Sequence, residues 1–347
     1  MNKKSKELFT ESIKQAILQH VGLFESPCEP LDGFESFIFK VRYKGEPCAL
    51  RISHSMHRSP VQIRGEIEWL QHLASHRLNV PTVLPFPNGE YLASISDGNG
   101  GAFTAVCFSW AEGQHVWAFK TSPWSSPLFE QMGHMCGKMH LLAESFEFEH
   151  SCSQRPHWYE EPGQNIRQFL PSSDEAISEK FDRLNHQIRQ VHQHKHDYGL
   201  IHADFHRGNF FVHGKDITLF DFDDCQYHLF VADIAIAVFY AIPFDRPEGL
   251  QQSAVSLFFQ SFMRGYLQER PLDRQWCRWL PALLKQREID LYAQLHQNFD
   301  LSDPDVMDRW SQNYLYQRRQ RILQGKPVIS LNWAQLFDEI ADQVVTM

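Results

Sequence analysis

The chain has 347 residues, enough for two domains of ordinary size, each with its own core. Hydrophobic residues make up 43% and charged residues 22%, a globular composition. The formal net charge of −9 argues against a nucleic-acid partner, because binding phosphate needs a basic face.

The N-terminal segment MNKKSKELFTESIKQ has no apolar core, so a signal peptide is not expected. Residues 6–24 are expected to form one amphipathic helix, with Leu8, Ile13, Ile17 and Val21 on one side. Residues 36–43 and 48–53 read as strands joined by a Lys44-Gly45-Glu46 turn. Residues 63–75 read as a helix. Residues 91–96 and 102–108 read as strands around the loop Asp97-Gly98-Asn99-Gly100-Gly101. Ser109-Trp110-Ala111-Glu112-Gly113 reads as a connector, and beyond it the character turns helical. Helices are expected at 129–145 and at 174–193, where Ile177, Phe181, Leu184, Ile188 and Val191 recur at helical steps. Ser172 and Glu175 have capping-box spacing at the start of the second. Two short strands, 210–213 and 217–220, flank a turn at Gly214-Lys215-Asp216. The apolar run 229–244 is too short to span a bilayer and carries Asp233, so it reads as a buried helix. Helices are expected again from about residue 250 onward. The seven cysteines, Cys28, Cys48, Cys107, Cys136, Cys152, Cys225 and Cys277, are scattered and never form C-x-x-C. That pattern argues against a zinc site or a disulfide framework and fits a reducing cytoplasm.

The chemistry-bearing stretch is Leu200-Ile201-His202-Ala203-Asp204-Phe205-His206-Arg207-Gly208-Asn209, followed by FFVHGKDITLFDFDD. If the two short strands pair antiparallel about Lys215, His213 faces Ile217 and, by the same register, Asn209 faces Asp221. Opposed residues have Cβ atoms about 5 Å apart. An amide oxygen and a carboxylate side by side suit one hard cation, and magnesium takes one or two protein oxygens. Asp204, on the loop entering this hairpin, could accept the proton of an attacking hydroxyl. Gly208 lets that loop turn tightly. His202 is expected to brace the loop, and Asp233 to brace or cap at the start of the apolar helix. His206 and Asp223 fit packing as well as a site role. Taken singly, each Asp reads as a turn residue or cap. It is the conjunction of H-x-D-x-H-x-x-N, a short hairpin and D-x-D that points to chemistry.

The segment His202 to Asn209 resembles the catalytic loop of the aminoglycoside phosphotransferase family, which includes choline kinases, type II homoserine kinases, methylthioribose kinases and bacterial stress-response kinases. The family pattern is H-G-D-x-H-x-x-N, a hairpin, then I-D-F/W, and Ala203 stands here at the usual Gly. Met132 to His140 resembles the family's L-G-x-x-L-x-x-L-H helix. Glu66 with Leu70 and Leu73 resembles its E-x-x-x-L-x-x-L helix. Cys48-Ala49-Leu50-Arg51-Ile52 resembles the strand that carries the phosphate-gripping Lys of kinases, with Arg51 in its place. Arginine is always charged and forked, so Arg51 could hold ATP phosphates and pair with Glu66. Leu31-Asp32-Gly33-Phe34-Glu35-Ser36 sits where the phosphate loop belongs. Phe108 to Gly113, including Trp110, sits at the hinge that binds adenine through backbone groups. The resemblance covers about residues 25–245.

It implies an α+β, bilobal protein-kinase-like fold. A small strand-rich nucleotide-binding lobe would span residues 1–108, a hinge 109–114, and a larger, mainly helical lobe 115–347. It further implies ATP and Mg2+ as cofactors, Asp204 as base, and Asn209 and Asp221 as metal ligands. Arg51, Glu66, Ser36, Phe108 and Trp110 would lie at the nucleotide, with His202, His206, Asp223 and Asp233 supporting the site. In an acidic chain, anionic ATP needs such local cations or a metal. The expected reaction is in-line transfer of the γ-phosphoryl group to a hydroxyl of a small molecule, of amino-alcohol or amino-sugar type. The acceptor wall is expected in residues 250–347, around Gln286-Arg287-Glu288-Ile289-Asp290-Leu291-Tyr292, Trp276 and Trp279, although these aromatic residues read more readily as core. Three alternatives stand beside this. One is a Ser/Thr protein kinase of the stress-response type. Another is a metal-dependent hydrolase using His202, Asp204 and His206, which a strand would place on one face. The third is an inactive nucleotide-binding module. A cytoplasmic location without membrane or nucleic-acid partners is expected, and a homodimer is compatible.

Overall fold

A computed structural model describes residues 3–33, 35–150, 153–160, 165–191, 194–299, 301 and 309–344. Phe34 of the expected phosphate loop and Cys152 lie outside these residues. The elements run α1 (Lys3–Leu8), α2 (Glu11–His20), β1 (Glu29–Leu31), β2 (Phe37–Tyr43), β3 (Glu46–His54), α3 (Pro60–Ser75), β4 (Val83–Leu84), β5 (Ala93–Ser96), β6 (Ala102–Ser109) and α4 (Ser126–Ala143). They continue with α5 (Glu175–Arg189), β7 (Tyr198–Ile201), β8 (Phe210–His213), β9 (Asp216–Leu219), β10 (Gln226–Leu229), α6 (Phe230–Ala241), α7 (Glu248–Glu269), α8 (Leu280–Asn298), α9 (Arg309–Leu323) and α10 (Trp333–Val344). Strands dominate the N-terminal part and helices the C-terminal part, the expected α+β class. The chain divides into two compact units. One comprises Met1–Gln114, Phe146–Arg155 and Phe211–Asp223, the other His115–Ser145, Pro156–Phe210 and Asp224–Met347.

In the first unit the sheet runs β1-β2-β3-β6-β4, with β5 also on β6, all antiparallel. Tyr43 pairs with Glu46, so the β2–β3 turn is two residues, Lys44 (φ 53°) and Gly45 (φ 89°). Positive φ at both positions matches the twist of the flanking strands. Glu46, expected in the turn, begins β3 instead. Phe39, Val41, Leu50, Ile52, Phe103 and Ala105 bury one core with Ile17 and Leu18 of α2. The helix expected over 6–24 is two. Thr10 accepts a hydrogen bond from Ile13 N (3.3 Å) and starts α2 afresh, while Phe9 stacks on Phe37 with ring centroids 3.8 Å apart. α3 starts at Pro60 rather than 63, behind a capping box between Ser59 and Gln62.

β8 and β9 pair as a two-stranded sheet joined by Gly214 (φ 64°) and Lys215. The expected three-residue turn is therefore a two-residue one, and Asp216 opens β9. The opposition of His213 to Ile217, and the Asn209–Asp221 register built on it, rested on a three-residue turn and does not follow from this one. Asn79 holds β9 from its own unit. It donates to Ile217 O (2.8 Å) and accepts from Leu219 N (3.1 Å).

In the second unit α4 and α7 pack at glycine. A Cβ on Gly133 would stand 1.8 Å from Phe262 O, and one on Gly265 would stand 1.9 Å from Glu130 O. α6 is buried from Phe230 to Phe239, as its all-round apolar sequence requires. A second core joins Ile177 and Phe181 of α5 to Ile289 and Tyr292 of α8 and Ile322 of α9. The capping box at Ser172 and Glu175 does not form. Ser172–Asp174 is a 3-10 turn, and Asp174 is the N-cap without a side-chain cap bond. Its carboxylate accepts instead from Tyr292 Oη (2.7 Å) and Arg319 Nε (2.8 Å). The unexpected strands β7 and β10 pair antiparallel, with Ile201 opposite Gln226. Among the described residues no helix is long and apolar enough to cross a membrane, and Cys28, Cys48, Cys107, Cys136, Cys225 and Cys277 are free thiols.

Candidate active site

The strand-rich unit gathers cations around two buried acids. Arg51 points from β3 to Glu66 on α3 in a forked pair, Nη1–Oε1 2.8 Å and Nη2–Oε2 2.5 Å. Burial disfavours the charge of Arg51, but Glu66 first, then Asp223 and Asp221, hold it protonated. The guanidinium also lies over the Phe108 ring, 5.1 Å from its centroid. Asp223 is buried and accepts from His57 Nε2 (2.5 Å), with Arg58 Nε 3.5 Å from the same oxygen. Its backbone oxygen takes Arg58 Nε (3.1 Å) and Arg155 Nη2 (2.6 Å). Burial would raise the Asp223 carboxyl, yet His57, Arg58 and Arg51 hold it well below the usual carboxylate range.

Two expected nucleotide residues and one expected metal ligand show their local surroundings in the same unit. Ser36 is buried, with its hydroxyl 2.7 Å from that of Ser53. Before it, Gly33 turns so tightly that a Cβ would stand 2.3 Å from Ser36 O, which explains the single glycine of this loop. Trp110 lies under Lys40 Nζ at 4.7 Å. Asp221 is exposed and holds a left-handed backbone, φ 65°.

The helical unit holds the other expected residues on the loop between β7 and β8. Asp233, in the first turn of α6, accepts from His202 N (2.9 Å) and Ala203 N (2.8 Å), one with each oxygen. His140 of α4 lies 3.2 Å from Asp233 and 2.9 Å from Tyr266 Oη, so three helices brace the loop. Ala203 has φ 66°, which gives the family's glycine at this place a conformational reason. Asp204 follows, its N–H donating to His202 Nδ1 (3.2 Å). Asn209 Nδ2 donates to Asp204 O (3.0 Å) and Oδ2 (2.9 Å), and His206 Nε2 lies 3.2 Å from Oδ2. Arg287 of α8 binds Asp204 Oδ1 and Tyr240 Oη and reaches Asp290 Oδ2 at 3.2 Å. Burial would raise the Asp204 carboxyl, but Arg287 and then His206 keep it ionised, far below the ordinary range.

Asp204, Asn209, His202, His206 and Asp233 thus meet in one unit. Arg51, Glu66, Phe108, Asp221 and Asp223 stand in the other. The ligand trio of the hydrolase alternative does not form. Residues 202–206 are loop, so strand alternation does not apply. His202 and His206 each accept a loop N–H at Nδ1. The described His, Cys and acidic residues close enough for a shared metal are Cys136, His140 and Asp233, where Asp233 already serves the loop.

Sequence reading missed His57, Arg58, Arg155 and Tyr240, and placed Arg287 only on a general wall. The His57-Arg58 pair before the Ser59 cap was a usable signal. The others reach the site through contacts remote in sequence and left no local pattern.

The match to the model described as "Phosphotransferase enzyme family" covers residues 28–280. The amicoumacin kinase of Bacillus subtilis (strain 168) is 32% identical over 343 residues, 97% of this chain and 99% of that protein. A solved amicoumacin kinase, in complex with AMP-PNP, Ca2+ and Ami, superposes with a TM-score of 0.88 at 29% identity, covering 97% of this chain and 100% of that one. A microcompartment-associated aminopropanol kinase superposes with a TM-score of 0.71 at 20% identity, covering 90% and 95%, which speaks for the shared kinase-like fold.

Proposed function

As this chain belongs to the phosphotransferase enzyme family and is a kinase acting on small molecules, we propose that it moves the γ-phosphoryl group of ATP to a hydroxyl of an amine-bearing acceptor, an amino-alcohol or amino-sugar compound of the amicoumacin kind. The observation that carries this reading is Asp204, half-buried, ionised and fixed on both oxygens, on a loop clamped from behind by Asp233. Such a carboxylate orients a hydroxyl and takes its proton late, when phosphorus–oxygen bond formation makes it acidic. Near-full-length similarity to an amicoumacin kinase favours a small acceptor over a protein. Burial, and the neighbouring Asp224 and Asp204, push the Asp290 carboxyl up against the pull of Arg287, so this is a cluster of acids in which an added ammonium group would be favoured.

Magnesium would be held by Asn209 and Asp221, and it would neutralise charge on the phosphates. The Asn209 amide fits this role, because its nitrogen is engaged with Asp204 and its oxygen is thereby turned elsewhere. Arg51, fixed by Glu66, adds a cation for the phosphates, and the Leu31 to Ser36 segment forms the loop over them. The 109–114 connector serves as the hinge and holds adenine through backbone groups. It separates the nucleotide-binding lobe, 1–108, from the catalytic and acceptor-binding lobe, 115–347.

A phosphate-transfer assay on amicoumacin, 1-amino-2-propanol, amino sugars and a protein control tests the reading. Turnover is expected on one of the amine-bearing compounds and not on protein. Asp204→Ala should abolish transfer with ATP binding retained. Asp221→Ala should lose metal-dependent nucleotide binding. Native turnover by Asp204→Ala would refute the role assigned to it.

A further inference from the structure

Arg318, on α9, is 1% exposed, and its Nε and both terminal nitrogens have no hydrogen-bond partner among the described residues. Three rings surround its guanidinium, with centroids at 4.3 Å (Tyr314), 5.5 Å (Phe239) and 5.8 Å (Phe244). Ring faces attract the charge but satisfy few of its N–H donors. The carboxylate in its surroundings, Glu288, already binds Lys285 Nζ (2.5 Å) and Arg321 Nε (2.5 Å). Lys285, Arg318 and Arg321 therefore share a single buried acid. Burying a charge without a partner is costly, and a chain under no other demand does better with an apolar side chain there. The position is close to the chemistry. Arg287, which binds Asp204, and Tyr240, which accepts from Arg287, act on Arg318 electrostatically, and Phe239 adjoins Tyr240 on α6.

We propose that Arg318 is a recognition residue for the phosphoryl acceptor: the edge of its guanidinium takes a coplanar pair of oxygens, while Phe239, Phe244 and Tyr314 enclose the group that carries them. The proposal rests on the acceptor reading given above. A forked planar cation matches two coplanar oxygens, whether a carboxylate or a carbonyl beside a hydroxyl. The free protein leaves the N–H donors of this buried cation unsatisfied, and the complex satisfies them, so the residue trades stability for binding.

Arg318→Met and Arg318→Lys test this through thermal unfolding and steady-state kinetics. Without ligand, Arg318→Met is expected to unfold at a higher temperature than wild type. Its KM for the acceptor should rise by about tenfold or more, the scale of a lost charge-assisted hydrogen bond, with KM for ATP unchanged. Arg318→Lys keeps the charge and loses the fork, so it should not restore the acceptor KM. Benzoate and salicylamide separate the two oxygen sources. The one that mimics the acceptor should raise the unfolding temperature of wild type and not of Arg318→Met. A lower unfolding temperature for Arg318→Met with unchanged acceptor KM would make Arg318 a structural residue and overturn the proposal. A higher temperature with unchanged acceptor KM and no response to either probe would also overturn it. If wild type phosphorylates none of the acceptors, the functional reading fails by itself, and the unfolding measurements still decide the site.

Discussion

Ala203 and Asp221 hold left-handed backbone, φ 66° and φ 65°, within the two segments of the candidate site. A non-glycine residue there costs on the order of 1–2 kcal/mol and persists only where the surroundings hold it. At Ala203 the restraint is visible: Asp233 accepts the N–H groups of His202 and Ala203 together and fixes the peptide between them. Read from sequence, alanine for the family's glycine is a mild change. The backbone angle shows that it carries a strain. Ala203→Gly should therefore raise stability by up to about 1 kcal/mol, the relieved strain being partly offset by the greater freedom of glycine in the unfolded chain. Denaturant unfolding would measure it. Because Asp233 still holds the loop, kcat should stay within a factor of about two, well under the tenfold that corresponds to 1.4 kcal/mol.

Elements show which patterns local sequence can carry. Period-two burial in β2 and helical steps in α3 and α5 were legible, because one buried face repeats every few residues, whereas β3 is buried on both faces from Leu50 to His54. Element ends were less so. α1 and α2 read as one helix until Thr10 capped the second, and the Ser172–Glu175 capping box lost to a tertiary claim on Asp174 by Tyr292 and Arg319. The β8–β9 turn is two residues rather than the three expected, because turn length is a local choice that hydrophobicity does not mark. In α4, Gly133 sat inside a family-like helix pattern without a stated reason. The structure gives one, the carbonyl of Phe262 at 1.8 Å from where a methyl would be. Gly133→Ala should force α4 and α7 apart and destabilise the fold by about 1–3 kcal/mol. A thermal midpoint equal to wild type would contradict that packing.

For the whole molecule, an acidic chain that binds an anionic nucleotide must do so through a few local cations and an ion, because its net charge of −9 opposes the approach. Mg-ATP at saturation should raise the unfolding temperature, with stabilisation of about 2.7 kcal/mol at 100 times Kd. A chelator should remove most of that gain, and Asp221→Asn should show little of it even with metal. An equal shift by ATP with and without divalent ion would refute the metal role. The sequence by itself determined the class of fold, several of its longer strands and helices, and the H-x-D-x-H-x-x-N and D-x-D segments as the candidate site. These are written in residues near one another, where periodicity, turns and motif spacing act over a few positions. Only the tertiary structure decided that Arg287 reaches Asp204, that His57, Arg58 and Arg155 converge on Asp223, and that Arg318 is buried without a hydrogen-bond partner among the described residues. Those contacts join residues far apart in the chain, and their energies come from desolvation and close packing, which exist only once the cores have formed.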